Sequence, residues 1–302
     1  MRVFVTGASG HIGSAVVPEL LAAGHQVTGL ARSDASAATL EAWGATVRRG
    51  TLDDLDILRS AAGQSDGVIH LAYKHEAMRS GDMASAVAAD LSAVETMLDA
   101  IAGTDKPFVG TSGTLLLAVL APGKLGTEAD AFPGGPRIDC ENLVIATASR
   151  GVRTSVVRLP PTVHSSLDHH GFVPTLIGIA RAKGVAGYVG DGASRWPAGH
   201  TLDAAHLYRL ALEEAPAGSR LHAVGDEGVP FTEIAEAIGR NLRLPVESIA
   251  PEEATAHFSF LGDFVQLDNP TSSELTRKLL GWEPTHPGLI ADLDEEIGRA
   301  HV

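Results

Sequence analysis

The chain has 302 residues, of which 44% are apolar and 20% are charged, which excludes a disordered protein and allows a large core. The balance of 23 basic and 37 acidic residues gives a net charge of −14, which disfavours broad binding to nucleic acid or to anionic membranes. Cys140 is the only cysteine, so neither an intrachain disulfide nor a cysteine-based metal cluster can form. No apolar run approaches the ~18–20 residues of a membrane span. We therefore expect a cytoplasmic protein that uses neither nucleic acid nor membrane as a partner.

The first predicted elements form a β–α–β unit. Residues 2–6 are typical of a buried strand, a glycine-rich turn follows, and residues 14–23 have helical spacing. Gly24 suits the end of that helix, and residues 25–31 indicate a second strand. A strand, helix and strand within about thirty residues predict a parallel sheet.

The alternation of strands and helices continues for about half of the chain. The next predicted strands span residues 46–49, 67–72, 108–111 and 154–159. The helices between them span residues 36–43, 55–61, 137–150 and a stretch within 83–102. This pattern predicts an α/β protein with a Rossmann-type, doubly wound parallel sheet, in which ligands bind outside the carboxyl ends of the strands.

The pattern becomes less regular after Pro160 and Pro161, where we expect a smaller C-terminal substrate-binding region. The predicted dinucleotide-binding domain covers residues 1–163, and residues 198–226 return to it. The substrate-binding region then covers residues 164–197 and 227–302. Its predicted elements are helices at 173–183, 231–242 and 272–280, and the returning part holds a helix at 202–213 and a strand at 220–224.

The turn after the first strand has a physical reason for each of its glycines. Gly7 permits the tight turn, Gly10 lets the backbone approach a pyrophosphate, and Gly13 lets helix and strand pack closely. The start of the following helix offers unpaired N–H groups to an anion. We expect the cofactor to contact the three glycines together with Ser9, His11 and Ile12.

The spacing Thr6-Gly7-x-x-Gly10-x-x-Gly13 resembles the extended short-chain dehydrogenase/reductase family, also called the NAD-dependent epimerase/dehydratase group. Further matches follow in the same order along nearly the whole chain. The resemblance implies adenine contacts from Leu52 and Asp53, ribose contacts from Leu71 and Ala72, and an active-site strand end at Thr111 and Ser112. It also implies nicotinamide contacts from Pro160 and Val163, and it places Tyr73 where family members reach toward nicotinamide or substrate.

The catalytic signature of that family is missing. Its members carry a Tyr four residues before a Lys, and the Lys lowers the pKa of the phenol. The chain has three tyrosines, and the residues four positions after them are Ala77, Gly192 and Leu212. Counting back from Gly151 and Val152 at the end of the predicted helix, Arg137 stands near the position of the family's Lys and Pro133 near that of its Tyr. The chain therefore resembles an atypical member of the family. Arg137 has donors for ribose or phosphate oxygens but cannot transfer a proton.

Three residues remain as catalytic candidates. Ser112 follows the active-site strand and suits a substrate carbonyl, Tyr73 has Lys74 beside it and is the leading proton donor, and His164 carries an imidazole, a group that often serves as a general acid. The alternatives stay open: Ser112 as a turn residue, Tyr73 as a loop aromatic, and His164 as a structural side chain. Adjacent side chains at residues 168–170 diverge, so we expect no metal site.

The end of the second strand bears on the choice between NAD and NADP. An acid there suits the ribose 2′-OH of NAD, whereas an Arg suits the 2′-phosphate of NADP. The chain has Arg32 and Ser33 at this point, and Asp34 follows them. We therefore expect NADP(H) to be preferred over NAD(H), unless Arg32 is merely a solvated charge.

These observations favour an NADP(H)-dependent oxidoreductase that acts on a small, apolar carbonyl, imine or activated alkene. The alternative is a catalytically silent NADP-binding sensor or scaffold. A nucleotide-sugar epimerase or dehydratase is a further alternative, weakened because those mechanisms depend on the missing Tyr. The family resemblance also implies a homodimer through the helices within 83–102 and at 137–150.

Overall fold

The computed structural model describes residues 1–75, 82–135 and 137–297, and the statements below concern these residues. The strands in chain order are β1 (Arg2–Thr6), β2 (Gln26–Ala31), β3 (Thr46–Arg49), β4 (Gly67–His70), β5 (Pro107–Gly113), β6 (Arg153–Leu159), β7 (Thr162–His164), β8 (Ala186–Val189), β9 (Arg195–His200), β10 (Ser219–His222), β11 (Asp226–Pro230) and β12 (Val246–Ile249).

The helices lie between and after these strands. They are α1 (His11–Ala22), α2 (Asp34–Ala42), α3 (Leu55–Gln64), α4 (Met83–Ile101), α5 (Leu115–Leu120), α6 (Ile138–Ala146), α7 (Phe172–Lys183), α8 (Thr201–Glu214), α9 (Phe231–Leu242), α10 (Ala254–Phe258), α11 (Glu274–Leu280) and α12 (Leu289–Asp292). None of the described helices is both long and apolar enough to cross a membrane.

Seven parallel strands form one sheet in the order β10-β6-β5-β4-β1-β2-β3. The order reverses between β1 and β4, so the predicted doubly wound sheet is confirmed. Because successive side chains of a strand point to opposite faces, β1 serves two cores. Val3 and Val5 pack on the side of α1 and α8, whereas Phe4 packs on the side of α3 and α4.

A separate apolar cluster, around Trp196 and Phe231, lies outside the large sheet. Strands β11, β9 and β7 form a three-stranded sheet, and β12 pairs with β8 in a two-stranded one. The apolar side of α9, with Phe231 and Ile234, packs there with Val173 of α7 and with the fully buried Trp196 of β9. The predicted strand near residues 220–224 is β10, which pairs with β6 at the edge of the large sheet.

Several element bounds differ from the sequence-based expectation. Helix α1 begins at His11 rather than at residue 14, so Gly13 lies within its first turn. Strand β4 ends at His70, which leaves Leu71 and Ala72 in the following loop. The predicted helix at 137–150 is α6 followed by a 3-10 turn at Thr147–Arg150. The elements without a counterpart in the prediction are strands β7, β8, β9, β11 and β12 and helices α5, α10 and α12, because segments of three to six residues carry little periodicity.

Candidate active site

The glycine turn joins β1 to α1 at the carboxyl edge of the large sheet. Gly7 has a φ of +66°, and a Cβ atom there would lie 2.7 Å from the backbone nitrogen of Ala72. A Cβ atom at Gly13 would lie 2.3 Å from the carbonyl oxygen of Gly7. Gly10 is exposed and its N–H donates to the same Gly7 oxygen at 3.0 Å. This cradle of bare backbone fits a dinucleotide pyrophosphate, which needs close approach to N–H groups at a helix start.

The side chains around the turn connect it to the second half of the chain. Ser9 and Ile12 are half-buried. The His11 ring makes a hydrogen bond of 2.8 Å from Nε2 to the hydroxyl of Thr201 on α8, and its Nδ1 lies 3.5 Å from Asp168. Burial lowers the pKa of His11. The turn is therefore fixed against the loop that precedes α7.

Four residues of interest lie where β2 and β3 end. Arg32 and Ser33 follow β2 and are exposed, as expected for residues that reach a ligand in solvent. The Ser33 hydroxyl caps α2 by accepting from the Ser36 N–H at 3.2 Å. Arg49, at the end of β3, donates to the Ser33 carbonyl oxygen and to the Asp34 carboxylate. Arg49 was not among the residues predicted from the sequence, although the pairing of parallel β2 and β3 places it opposite the end of β2.

Asp53 is held by the lysine after β4. Lys74 Nζ donates to both carboxylate oxygens of Asp53, at 2.7 and 2.8 Å. Leu52 is buried, and Leu71 and Ala72 are half-buried between the two loops. The four predicted adenosine-contacting residues therefore lie on one side of the turn, and the ion pair links the loop after β3 to the loop after β4.

The structure brings together three of the predicted site residues near the carboxyl ends of β4 and β5. The Arg137 guanidinium lies over the Tyr73 ring, 4.1 Å from its centroid, and Nη2 donates to the carbonyl oxygen of Thr111 at 3.1 Å. Arg137 adopts a left-handed conformation with φ of +65°. Tyr73 is half-buried and its hydroxyl lies 3.6 Å from the sulfur of Met83. A phenol and a fixed cation therefore share the carboxyl edge of the sheet with the glycine turn.

A network of buried hydrogen bonds holds the Thr111 side chain in place. Its hydroxyl donates to the carbonyl oxygen of His70 at 2.7 Å and lies 2.8 Å from the hydroxyl of Tyr208. The His70 ring joins Thr6 at 2.7 Å and Asp90 at 3.0 Å. Burial raises the pKa of Tyr208, so this phenol stays protonated and holds Thr111 in place. Tyr208 was not among the predicted site residues, because its place beside Thr111 follows only from the packing of α8 against the sheet.

The Ser112 side chain is not exposed at the carboxyl ends of the strands, where the site lies. It is 4% exposed, on the face of β5 opposite to that of Thr111 and beside Glu141. Burial alone would raise the pKa of Glu141, but hydrogen bonds from Arg158 and Arg220 outweigh it, and the pKa is lowered. Arg158 Nη2 donates to Glu141 at 2.6 Å, so Ser112 borders a buried ionic group rather than a substrate cleft.

His164 lies at the end of β7 and is fully buried. Its Nδ1 is 2.5 Å from the Asp292 carboxylate on α12, and its ring packs edge-on against His200. Pro160 and Val163 in the same segment are buried as well. No part of the His164 ring reaches the surface, so this geometry gives it a structural contact and no access to a substrate.

One further group of possible metal ligands lies in the described residues. His200, Asp203 and His286 offer atoms that all lie within 4.8 Å of one another. Asp203 accepts from the N–H groups of Thr285 and His286 at 3.0 and 3.1 Å and from the His286 ring at 2.7 Å. The two histidine rings stack in nearly parallel planes. Hydrogen bonding and stacking account for this cluster without an ion. The ring centroids of His169 and His170 lie 6.4 Å apart.

Comparison with known proteins gives the family. The model of the NAD dependent epimerase/dehydratase family matches residues 3–134. An uncharacterised protein of Schizosaccharomyces pombe is 50% identical over 97% of this chain and 98% of its own length. A Stigmatella aurantiaca enzyme named 4-hydroxy-2-methyl-3-oxo-4-farnesyl-3,4-dihydroquinoline-1-oxide ketoreductase is 31% identical over 72% of this chain and 66% of its own.

The solved structures agree with this assignment at the level of the fold. The dTDP-glucose 4,6-dehydratase DesIV of Streptomyces venezuelae, solved with NAD and TYD bound, superposes with a TM-score of 0.78 at 20% identity. The match covers 100% of this chain and 97% of that one. The glycine turn, the seven-stranded parallel sheet and the matching family model lead to one conclusion: the chain belongs to the NAD-dependent epimerase/dehydratase family, and its relatives include a ketoreductase.

Proposed function

We propose that the protein is an NADP(H)-dependent oxidoreductase that moves hydride between nicotinamide and a small, apolar carbonyl, imine or activated alkene. The observation that carries the proposal is the convergence of Tyr73, Arg137 and the Thr111 backbone beside the glycine turn. Nicotinamide supplies the hydride chemistry when it is bound, and the protein supplies binding, orientation and a proton.

The residues of the glycine turn fit a dinucleotide. The cradle at Gly7 and Gly13 would be filled by any side chain, and DesIV, which shares the fold, was solved with NAD bound. Arg32 and Ser33 at the end of β2 favour the phosphorylated form, because Arg binds phosphate through paired charge-assisted hydrogen bonds. A nucleotide in this turn would extend along the carboxyl edge of the sheet toward Tyr73.

Tyr73 is the proton donor in this proposal. A donor must come within hydrogen-bond reach of the substrate. Tyr208 and His164 are fully buried, and Ser112 borders the Glu141 group, whereas Tyr73 is half-buried at the open edge. Arg137 restricts the Tyr73 ring by lying across it and by bonding to Thr111 at the same time. The pair would thereby take the place of the family's Tyr and Lys.

The proposed protein has a separate substrate-binding region and forms a dimer. Residues 164–197 and 227–302 would form the substrate-binding region, which is supported by the separate apolar cluster around Trp196 and Phe231. The aromatic group of Phe172, Phe260 and Phe264 supports an apolar substrate. We propose a cytoplasmic homodimer through α4 and α6, which gel filtration with light scattering would test.

The test of the proposed function is NADPH oxidation with a panel of small aldehydes, ketones, imines and enones. Once an acceptor is found, Tyr73→Phe should lower kcat by about 10²-fold or more and leave NADPH affinity unchanged. Tyr188→Phe is the matched control, because Tyr188 lies on β8 and packs against the apolar cluster around Trp196 and Phe231. Unchanged turnover in Tyr73→Phe would remove Tyr73 as the donor. Tight NADPH binding without turnover of any acceptor would favour the sensor or scaffold alternative.

A further inference from the structure

Two arginines flank one acid where β2 and β3 end. Arg32 follows the last residue of β2, and Arg49 is the last residue of β3, opposite Ala31 in the parallel register. Asp34 is the first residue of α2. The Arg49 guanidinium bridges this turn, since one nitrogen donates to the carbonyl oxygen of Ser33 and another to the carboxylate of Asp34.

The ion pair between Arg49 and Asp34 is open to solvent. The Asp34 side chain is 100% exposed and that of Arg49 is 49% exposed. Exposed pairs contribute little to stability, because water screens the attraction and holding both side chains costs entropy. A ligand with a higher charge density than a carboxylate would therefore displace Asp34 from Arg49 at little cost.

The nature of the acid and the arginines matters for nucleotide choice. An acid at the end of the second strand accepts a hydrogen bond from the ribose 2′-OH and repels a 2′-phosphate. Asp34 would act in this way if it were unpaired. A phosphate monoester carries a charge of about −1.5 to −2 and three acceptor oxygens, so it competes well for a guanidinium that holds one carboxylate.

We propose that Arg49 determines cofactor specificity: it neutralises Asp34 in the free protein and binds the 2′-phosphate of NADP(H) together with Arg32 in the complex. The inference rests on the proposed function, because it requires a dinucleotide in the glycine turn. It adds a residue from the third strand to the two from the second strand, and it explains how an acid can stand in a site that takes a phosphate.

The experiment is calorimetric titration of the full chain with NADPH and with NADH. Loss of a charge-assisted hydrogen bond makes us expect Arg49→Ala to weaken NADPH binding by about 10- to 100-fold. NADH binding should stay the same or tighten, because Asp34 is released to accept the 2′-OH. Arg59→Ala is the matched control, since Arg59 forms another exposed pair, with Asp56 on α3. Arg32→Ala should weaken NADPH binding to a similar degree.

A second variant separates the two roles of Arg49. In an Asp34→Asn background, removing Arg49 should weaken NADPH binding less than in the wild type, because no acid remains to repel the phosphate. Equal losses in both backgrounds would overturn the neutralising role. An unchanged ratio of NADPH to NADH affinity in Arg49→Ala would overturn the inference as a whole. If the wild type binds neither nucleotide, the proposed function itself fails, and the two failures are thereby distinguished.

Discussion

The glycine turn after β1 and the aromatic cluster around Trp196 are packed in opposite ways. In the turn, backbone lies against backbone, and a Cβ atom at Gly13 would come within 2.3 Å of the Gly7 oxygen. In the cluster, large rings fill the space, as where Trp196 meets Phe231 edge-on at 5.1 Å. A position that admits only glycine can be recognised in the sequence by that glycine, whereas an apolar core accepts many combinations of side chains of similar volume. The first region is therefore recognisable from sequence, and the second is recognisable only as apolar.

Two helical glycines, one in each region, test this difference most strongly. We expect Gly13→Ala to destabilise the protein by about 3 kcal/mol, because the added methyl group meets fixed backbone atoms. Nucleotide binding should be lost as well. Gly178→Ala in α7 is the matched control, since no atom lies within 4 Å of the added Cβ. It should stabilise the protein by about 0.5–1 kcal/mol. Thermal unfolding measures both, and equal effects would contradict the contrast between the regions.

Two buried histidines, one in the seven-stranded sheet and one in the three-stranded sheet, predict that the protein loses stability in acid. Burial lowers the pKa of His222, on β10 of the large sheet, from 6.5 to about 4. The folded state then binds fewer protons than the unfolded state, so stability is full above pH 6.5 and falls as the pH drops toward 4. The expected loss for this residue is about 2 kcal/mol between pH 7 and pH 5. Denaturant unfolding of wild type and His222→Gln should show a shallower pH slope in the variant.

His200, at the end of β9 in the three-stranded sheet, sharpens the same test. Burial and the neighbouring His164 lower its pKa to about 4. The direction of its pH effect is therefore the same, and His200→Gln should also reduce the slope. A pH-independent stability between 7 and 5 in the wild type would show that neither ring is held neutral by its surroundings.

The smallest expected effect concerns a surface ion pair of the second region. Arg195 on β9 donates to Asp268 at 2.8 and 2.9 Å, with side chains 47% and 35% exposed. We expect Arg195→Ala to cost less than about 1 kcal/mol, because exposed pairs are weak. Stability measured at low and high salt should converge for the two proteins. A loss of several kcal/mol would mean that the small sheet depends on this pair.

The sequence was sufficient for the large sheet because its signals are local. A strand, a glycine turn and a helix follow one another within a short stretch, and the predicted helix at 231–242 coincides with α9. The small sheet of β7, β9 and β11 joins segments far apart in the chain, and β7 has three residues. Periodicity over so few residues cannot be distinguished from a loop.

The candidate site could be predicted only where it follows from strand ends. Tyr73 and Thr111 were predicted by the rule that carboxyl ends of parallel strands carry the ligand site, whereas Arg137 was predicted from its match to the position of the family's Lys. The orientation of Ser112, the burial of His164 and the contact of Arg49 with Asp34 depend on which face of an element is covered and by what. Such facts arise from tertiary packing, and a single sequence without packing does not contain them in readable form.

The left-handed backbone of Arg137 has a consequence for how this protein can change. A residue with a side chain pays a conformational penalty at φ of +65°, which glycine or asparagine would largely avoid. Selection for stability alone would therefore favour replacing Arg137, and the replacement would take the guanidinium away from Tyr73 and Thr111. Stability and activity would then pull this position in opposite directions, as happens where strain is kept at a functional site.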